Sequence, residues 1–62
     1  MCESKAYLRS NGEEQEVMDD VAHLRVLEDG VELVRIDGLR KTLEGARIEE
    51  IDFIHHKIFL RK

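Results

Sequence analysis

The chain has no proline, no tryptophan, one cysteine and three aromatic residues, Tyr7, Phe53 and Phe59. Each scarcity removes a possibility. A single cysteine allows no internal disulfide, which fits a reducing cytoplasm. Three aromatics leave little for nucleobases to stack on. No apolar run approaches the ~20 residues of a membrane span, and the start, Met1 to Lys5, carries no apolar stretch of the signal-peptide kind. A soluble, cytoplasmic protein is expected. There is no Gly-rich phosphate loop and no Gly-x-Ser-x-Gly elbow, and Ser4, Ser10 and Thr42 lack an evident His and acid arrangement. The chain reads as a binding module, not as an enzyme. Ten cationic residues face fourteen acidic ones, and the net charge of −4 opposes strong binding to phosphate backbones.

What is present is charge and branched aliphatics. Charged residues make up 39% of the 62 positions, and Val, Ile and Leu supply most of the apolar ones. One domain, 1–62, is expected, near the lower limit for a core that folds unaided. A metal or a partner subunit would help it.

Glycine turns divide the chain into short segments. Asn11-Gly12 is the strongest hairpin signal, because both central positions of a type I′ turn need positive φ. It joins Lys5–Arg9, with Ala6 and Leu8 on one face, to Glu14–Asp19. Asp29-Gly30 is a second signal, linking His23–Leu27 to Glu32–Ile36. Asp37-Gly38 and Glu44-Gly45 mark two further turns, with the alternating Leu39–Leu43 between them. Ile48–Ile54 and Lys57–Leu60 form the last pair, with His55-His56 at the bend. Val17, Val21 and Leu24 stand at i, i+4 and i+7 and offer a competing helix. Ala22, Leu24 and Val26 alternate, however, and a helix leaves Met18 and Leu27 on awkward faces. The expectation is all-β: a small SH3-like or Sm-like barrel of about five to seven short antiparallel strands, whose edges need closing or a second copy.

Cys2 is the residue with the most chemistry. Its thiol, its own amide and the terminal amine can close small chelate rings around one soft metal. With Met1 in place, the Met1 amine and the Cys2 amide nitrogen join the sulfur in three-point form. With Met1 removed, Cys2 offers amine and sulfur alone. Thiolates suit Ni(II), Zn(II) and Cu(I), and square-planar N,S sets point to nickel or copper. One chain has too few donors for a complete four-coordinate site, whereas a twofold dimer brings two Cys2 residues to one axis. From residue chemistry alone, a free cysteine that merely plugs a core or frays at a terminus is the commoner case.

The opening Met1-Cys2-Glu3, the strand ending in Asn11-Gly12, Val17-Met18-Asp19-Asp20-Val21, and the tail Ile51-Asp52-Phe53-Ile54-His55-His56-Lys57-Ile58-Phe59-Leu60 together resemble the small CooT-type proteins over nearly the whole chain. That resemblance implies a homodimeric, SH3-like β domain binding nickel through the cysteine next to the initiator methionine. It further implies a metallochaperone role, with a nickel enzyme such as carbon monoxide dehydrogenase as client. Many relatives are described only as predicted RNA-binding proteins. The resemblance puts metal binding at Cys2, with Met1, ahead of the plug.

The remaining candidates are weaker. His55-His56 are adjacent, and neighbours on a strand diverge, so solvated turn residues are expected, although a site joining Cys2 to His55 has the N and S donors that zinc also takes. His23 alternates with Ala22 and Leu24 and is expected to face solvent or a partner. Glu13-Glu14, Asp19-Asp20 and Glu49-Glu50 read as a solvated acidic face. The cations Arg35, Arg40, Lys41, Arg47, Lys57, Arg61 and Lys62 read as scattered surface charge. A nickel carrier is therefore the leading expectation. An RNA-binding module and a protein-interaction domain without a metal role are the alternatives.

Overall fold

The computed structural model describes residues 3–62. Six strands form one sheet: β1 (Ser4–Ser10), β2 (Glu13–Leu27), β3 (Gly30–Arg35), β4 (Arg40–Glu44), β5 (Arg47–Asp52) and β6 (Lys57–Arg61). Their order across the sheet is β4-β3-β2-β1-β6-β5. The expected all-β class is what the chain adopts, as a small barrel-like sheet with no helix among the described residues. Neighbouring strands pair antiparallel except β1 and β6, which run parallel with Lys5 opposite Lys57 and Arg9 opposite Arg61.

The β1–β6 register explains the faces of the centre of the sheet. Ala6 and Leu8 stand opposite Ile58 and Leu60, and all four belong to or pack on the main core. That core closes over Met18, Val21, Val31, Leu33 and Ala46, with Val31, Leu33 and Leu60 fully enclosed. Each such side chain contributes roughly 1.5–3 kcal/mol through its removal from water. On the opposite face Tyr7 stands across from Phe59, their rings stacked at 5.6 Å with a 26° interplanar angle. Phe59 is buried there, outside the main core.

The β1–β2 turn follows the sequence closely. Ser10 pairs with Glu13, and the two residues between them, Asn11 and Gly12, have φ of 54° and 79°. These are the positive values a primed turn needs. The second hairpin differs from the expectation. Leu27 pairs with Gly30, so the connecting residues are Glu28 and Asp29, and Gly30 is the first residue of β3. Its φ is not positive. Glycine fits at position 30 because any Cβ would collide with the Leu43 carbonyl oxygen and stand 3.0 Å from the Glu44 Cα.

The segments Glu14–Asp19 and His23–Leu27 are also one strand, not two. β2 runs fifteen residues. Its first half pairs with β1 and its second half with β3, and the pairing register shifts on both sides of Val21. Asp20, between the halves, has φ of 50°. Bulges of this kind insert an extra residue, bend a strand and sharpen its twist. They also account for the helix-like spacing of the sequence, because each shift breaks the alternation and brings Met18 and Val21, three residues apart, into the same core.

Candidate functional site

The parallel β1–β6 register sets the start of β1 beside the β5–β6 turn. The Lys5 N–H donates to the His56 carbonyl at 2.9 Å. On its other side Ser4 pairs with Val21 next to the β2 bend, and the Asp20 carbonyl accepts the Ile36 N–H at 2.9 Å. The chain segment that follows Cys2 is thus clamped between the bend of β2 and the turn carrying His55 and His56. Cys2 and Met1 themselves lie outside the described residues.

Asp52 organises that turn. Its Oδ1 accepts the backbone N–H groups of Ile54 and His55, each at 3.0 Å, while Oδ2 lies 2.9 Å from His55 Nδ1. The hydrogen bond with His55, helped by the backbone donors, holds the Asp52 carboxyl below the usual carboxylate range. An ionised carboxylate can only accept, so the hydrogen bond places a proton on Nδ1 and leaves Nε2 pointing away from Asp52. A carboxylate fixing one imidazole nitrogen while the other stays available is the arrangement that supports histidine ligands in metal sites. The His55 side chain is 68% exposed. His56 closes the turn with φ of 57° and is half-buried. The two histidines therefore differ in environment, although they are adjacent in sequence. His23 is exposed in the β2–β3 ladder opposite Val34, in line with its expected solvent-facing position.

The turn also displays the two most exposed large apolar side chains among the described residues, Phe53 and Ile54, at 79% and 81%. No group of three or more His, Cys, Asp or Glu side chains among the described residues is placed to hold a metal ion. His55, with Asp52 behind it, is the described side chain best prepared to add one ligand to donors from elsewhere.

The acidic pairs are not all a solvated face. Arg9 gathers Glu14 at 2.9 Å, Glu49 at 3.2 Å and Glu50 at 3.0 Å, and its guanidinium lies 3.9 Å from the centre of the Phe59 ring. Glu49 and Glu50 converge on one arginine because the β5–β6 register shifts between Ile48 and Glu50, undoing the usual divergence of strand neighbours. Hydrogen bonding to Arg9, and then to Arg61, holds the Glu49 carboxyl below its ordinary range. Lys57 sits over Tyr7 as Arg9 does over Phe59, so cations cover the stacked rings. Arg35 grips Asp37 through two hydrogen bonds of 2.9 and 2.8 Å. Lys5, Arg40 and Arg61 also meet carboxylates. The cations are not all scattered, since Arg9, Arg61 and Arg47 stand side by side across β1, β6 and β5, and half of the ten are ion-paired among the described residues.

Fold and site together define a small barrel-like β module that presents a carboxylate-supported imidazole at one end of its sheet. A family model described as CO dehydrogenase accessory protein CooT matches residues 1–61, and the chain belongs to this family. The fold is similar to the crystal structure of a protein assigned as CooT from Carboxydothermus hydrogenoformans. The TM-score is 0.88 and the identity 30%, over 98% of this chain and 97% of that one. No match was found among curated proteins.

Proposed function

We propose that this chain is a nickel carrier, not an enzyme: it binds Ni(II) through Cys2, with main-chain nitrogens of Met1 and Cys2, at the interface of a homodimer, and passes the metal to a nickel enzyme. Carbon monoxide dehydrogenase is the client that the family description favours. The observation that carries the reading is the end of the sheet where β1 begins. The sole cysteine lies two residues before a strand whose Lys5 N–H is bonded to His56, one residue from the Asp52-held His55. A thiolate, main-chain nitrogens and an imidazole form a donor set suited to nickel, and Zn(II) or Cu(I) is the competing cargo. Location in the cytoplasm follows from the same reading, since the thiol must stay reduced. The RNA-binding alternative loses support from the paired cations and the covered aromatic faces.

Titration of the purified chain with Ni(II) tests the proposal. A thiolate-to-metal absorption band should grow and saturate at about half an equivalent per chain, as a shared twofold site requires. Cys2→Ser should abolish the band and leave the fold intact. Saturation at a full equivalent in a monomer, or an unchanged band in Cys2→Ser, would sink it.

A further inference from the structure

The sheet does not close on itself. Its two edges are β4 and β5, consecutive in sequence and joined through Gly45 and Ala46, yet no ladder connects them. A groove opens along this seam between the tip of the β2–β3 hairpin and the β4–β5 turn. Val26, Leu27 and Ile48 line it and are 67%, 38% and 36% exposed. Ile48 stands opposite Leu60 and so lies on the core-facing side of β5, which makes the groove a continuation of the core into solvent.

The border of this groove is acidic. Glu28, Asp29 and Glu44 border it, and a narrower recess beside it reuses the same three residues. All three are exposed, and none enters an ion pair among the described residues. Elsewhere Glu14, Glu49 and Glu50 are matched by Arg9, Asp37 by Arg35, and Glu32 by Arg40. Arg47 is the one cation in the groove's lining. An apolar floor under three uncompensated carboxylates and one arginine is complementary to a segment with apolar side chains and an excess of Lys or Arg.

We infer that this seam is a docking groove for an extended, basic, apolar-anchored segment of a partner protein. Extended segments commonly bind where a sheet ends, with main-chain bonding giving affinity and side-chain pockets giving specificity. The groove lies at the opposite end of β5 from Asp52, about 17 Å away for a six-residue strand. A partner held there leaves the Cys2 and His55 end uncovered. The inference stands whether or not that end binds nickel.

The test uses the full chain and a capped five-residue peptide alternating lysine and valine, with a glutamate–valine peptide as control. The lysine peptide should shift the backbone amide resonances of Leu27, Asp29, Gly45 and Ile48 selectively, and its affinity should fall as salt rises. Glu28→Lys together with Glu44→Lys should weaken it about tenfold. Val26→Lys, at a position too exposed to matter for folding, should weaken it as well. Four results would overturn the inference. They are no binding, equal binding of the acidic control, shifts centred on Asp52–His56, and conversion of a dimer to a monomer by Val26→Lys, which would make the seam a contact between copies of this chain.

Discussion

Asp52 and His55 stand three positions apart, with Asp52 Oδ2 2.9 Å from His55 Nδ1, while the other carboxylate oxygen accepts the Ile54 and His55 amides. One side chain thereby builds the β5–β6 turn and sets the orientation and tautomer of an exposed imidazole. If His55 completes the nickel site, Asp52→Ala should lower Ni(II) affinity about 10- to 100-fold, as loss of a supporting carboxylate does elsewhere. His55→Ala should lower it at least as far, with the Cys2 thiol unchanged. Competition titration against a chelator measures both. Unaltered affinity in His55→Ala removes the imidazole from the site and leaves Cys2 with main-chain donors.

Asp37 provides a test in acid. Two hydrogen bonds from Arg35, then one from the Leu39 N–H, lower its carboxyl from 3.8 to about 2. A folded-state value below the ordinary one stabilises the fold at pH values above the ordinary carboxylate range. That contribution is lost as pH falls through about 2. Carboxyl NMR should give an Asp37 midpoint near 2. Arg35→Gln should move it back up, towards an unpaired carboxylate. A midpoint unaffected by Arg35→Gln would show that the pairing does not persist in solution.

Two glycines should respond differently to the same substitutions. At Gly12 a Cβ meets nothing within 4 Å, and the difficulty is the φ of 79°. Gly12→Ala should therefore cost about 1–2 kcal/mol, and Gly12→Asn much less, since asparagine tolerates left-handed backbone. At Gly30 the obstacle is the Leu43 carbonyl, a backbone group that cannot swing aside. Gly30→Ala and Gly30→Asn should both destabilise, by roughly 1–3 kcal/mol or more, as overpacking does. Urea midpoints of the four variants give the comparison. Asparagine rescue at position 30 would contradict the steric account.

The apo protein should already be a homodimer. A chain of 62 residues has little core, and the proposed nickel site draws one Cys2 from each of two copies. Light scattering of metal-free protein at micromolar concentration should give about twice the chain mass. Nickel should then raise the melting temperature by binding the folded dimer, without creating it. A monomer that pairs only when nickel is added would identify the metal site as the interface itself.

Local chemistry is what the sequence made legible. The Asn11-Gly12 turn could be read directly, because positive φ at two successive residues is a property of those residues and not of their surroundings. The all-β class was also readable, from short aliphatic segments punctuated by glycine. Asp52 as the partner of His55 was within reach too. An aspartate three residues before a histidine in a turn is a local pattern. The rest depended on distant parts of the chain meeting. Bulges in β2 joined two expected strands into one and gave Val17, Val21 and Leu24 their helix-like spacing. The role of Gly30 depends on a carbonyl thirteen positions away, and the gathering of Glu14, Glu49 and Glu50 on Arg9 depends on a register shift in β5. The parallel pairing of β1 with β6, which sets residues 3–5 beside His56, joins segments about fifty residues apart and leaves no periodic mark on either. Hydrophobic pattern and turn chemistry chose the kind of fold. Strand pairing between remote segments chose which residues meet at the end of the sheet where β1 begins.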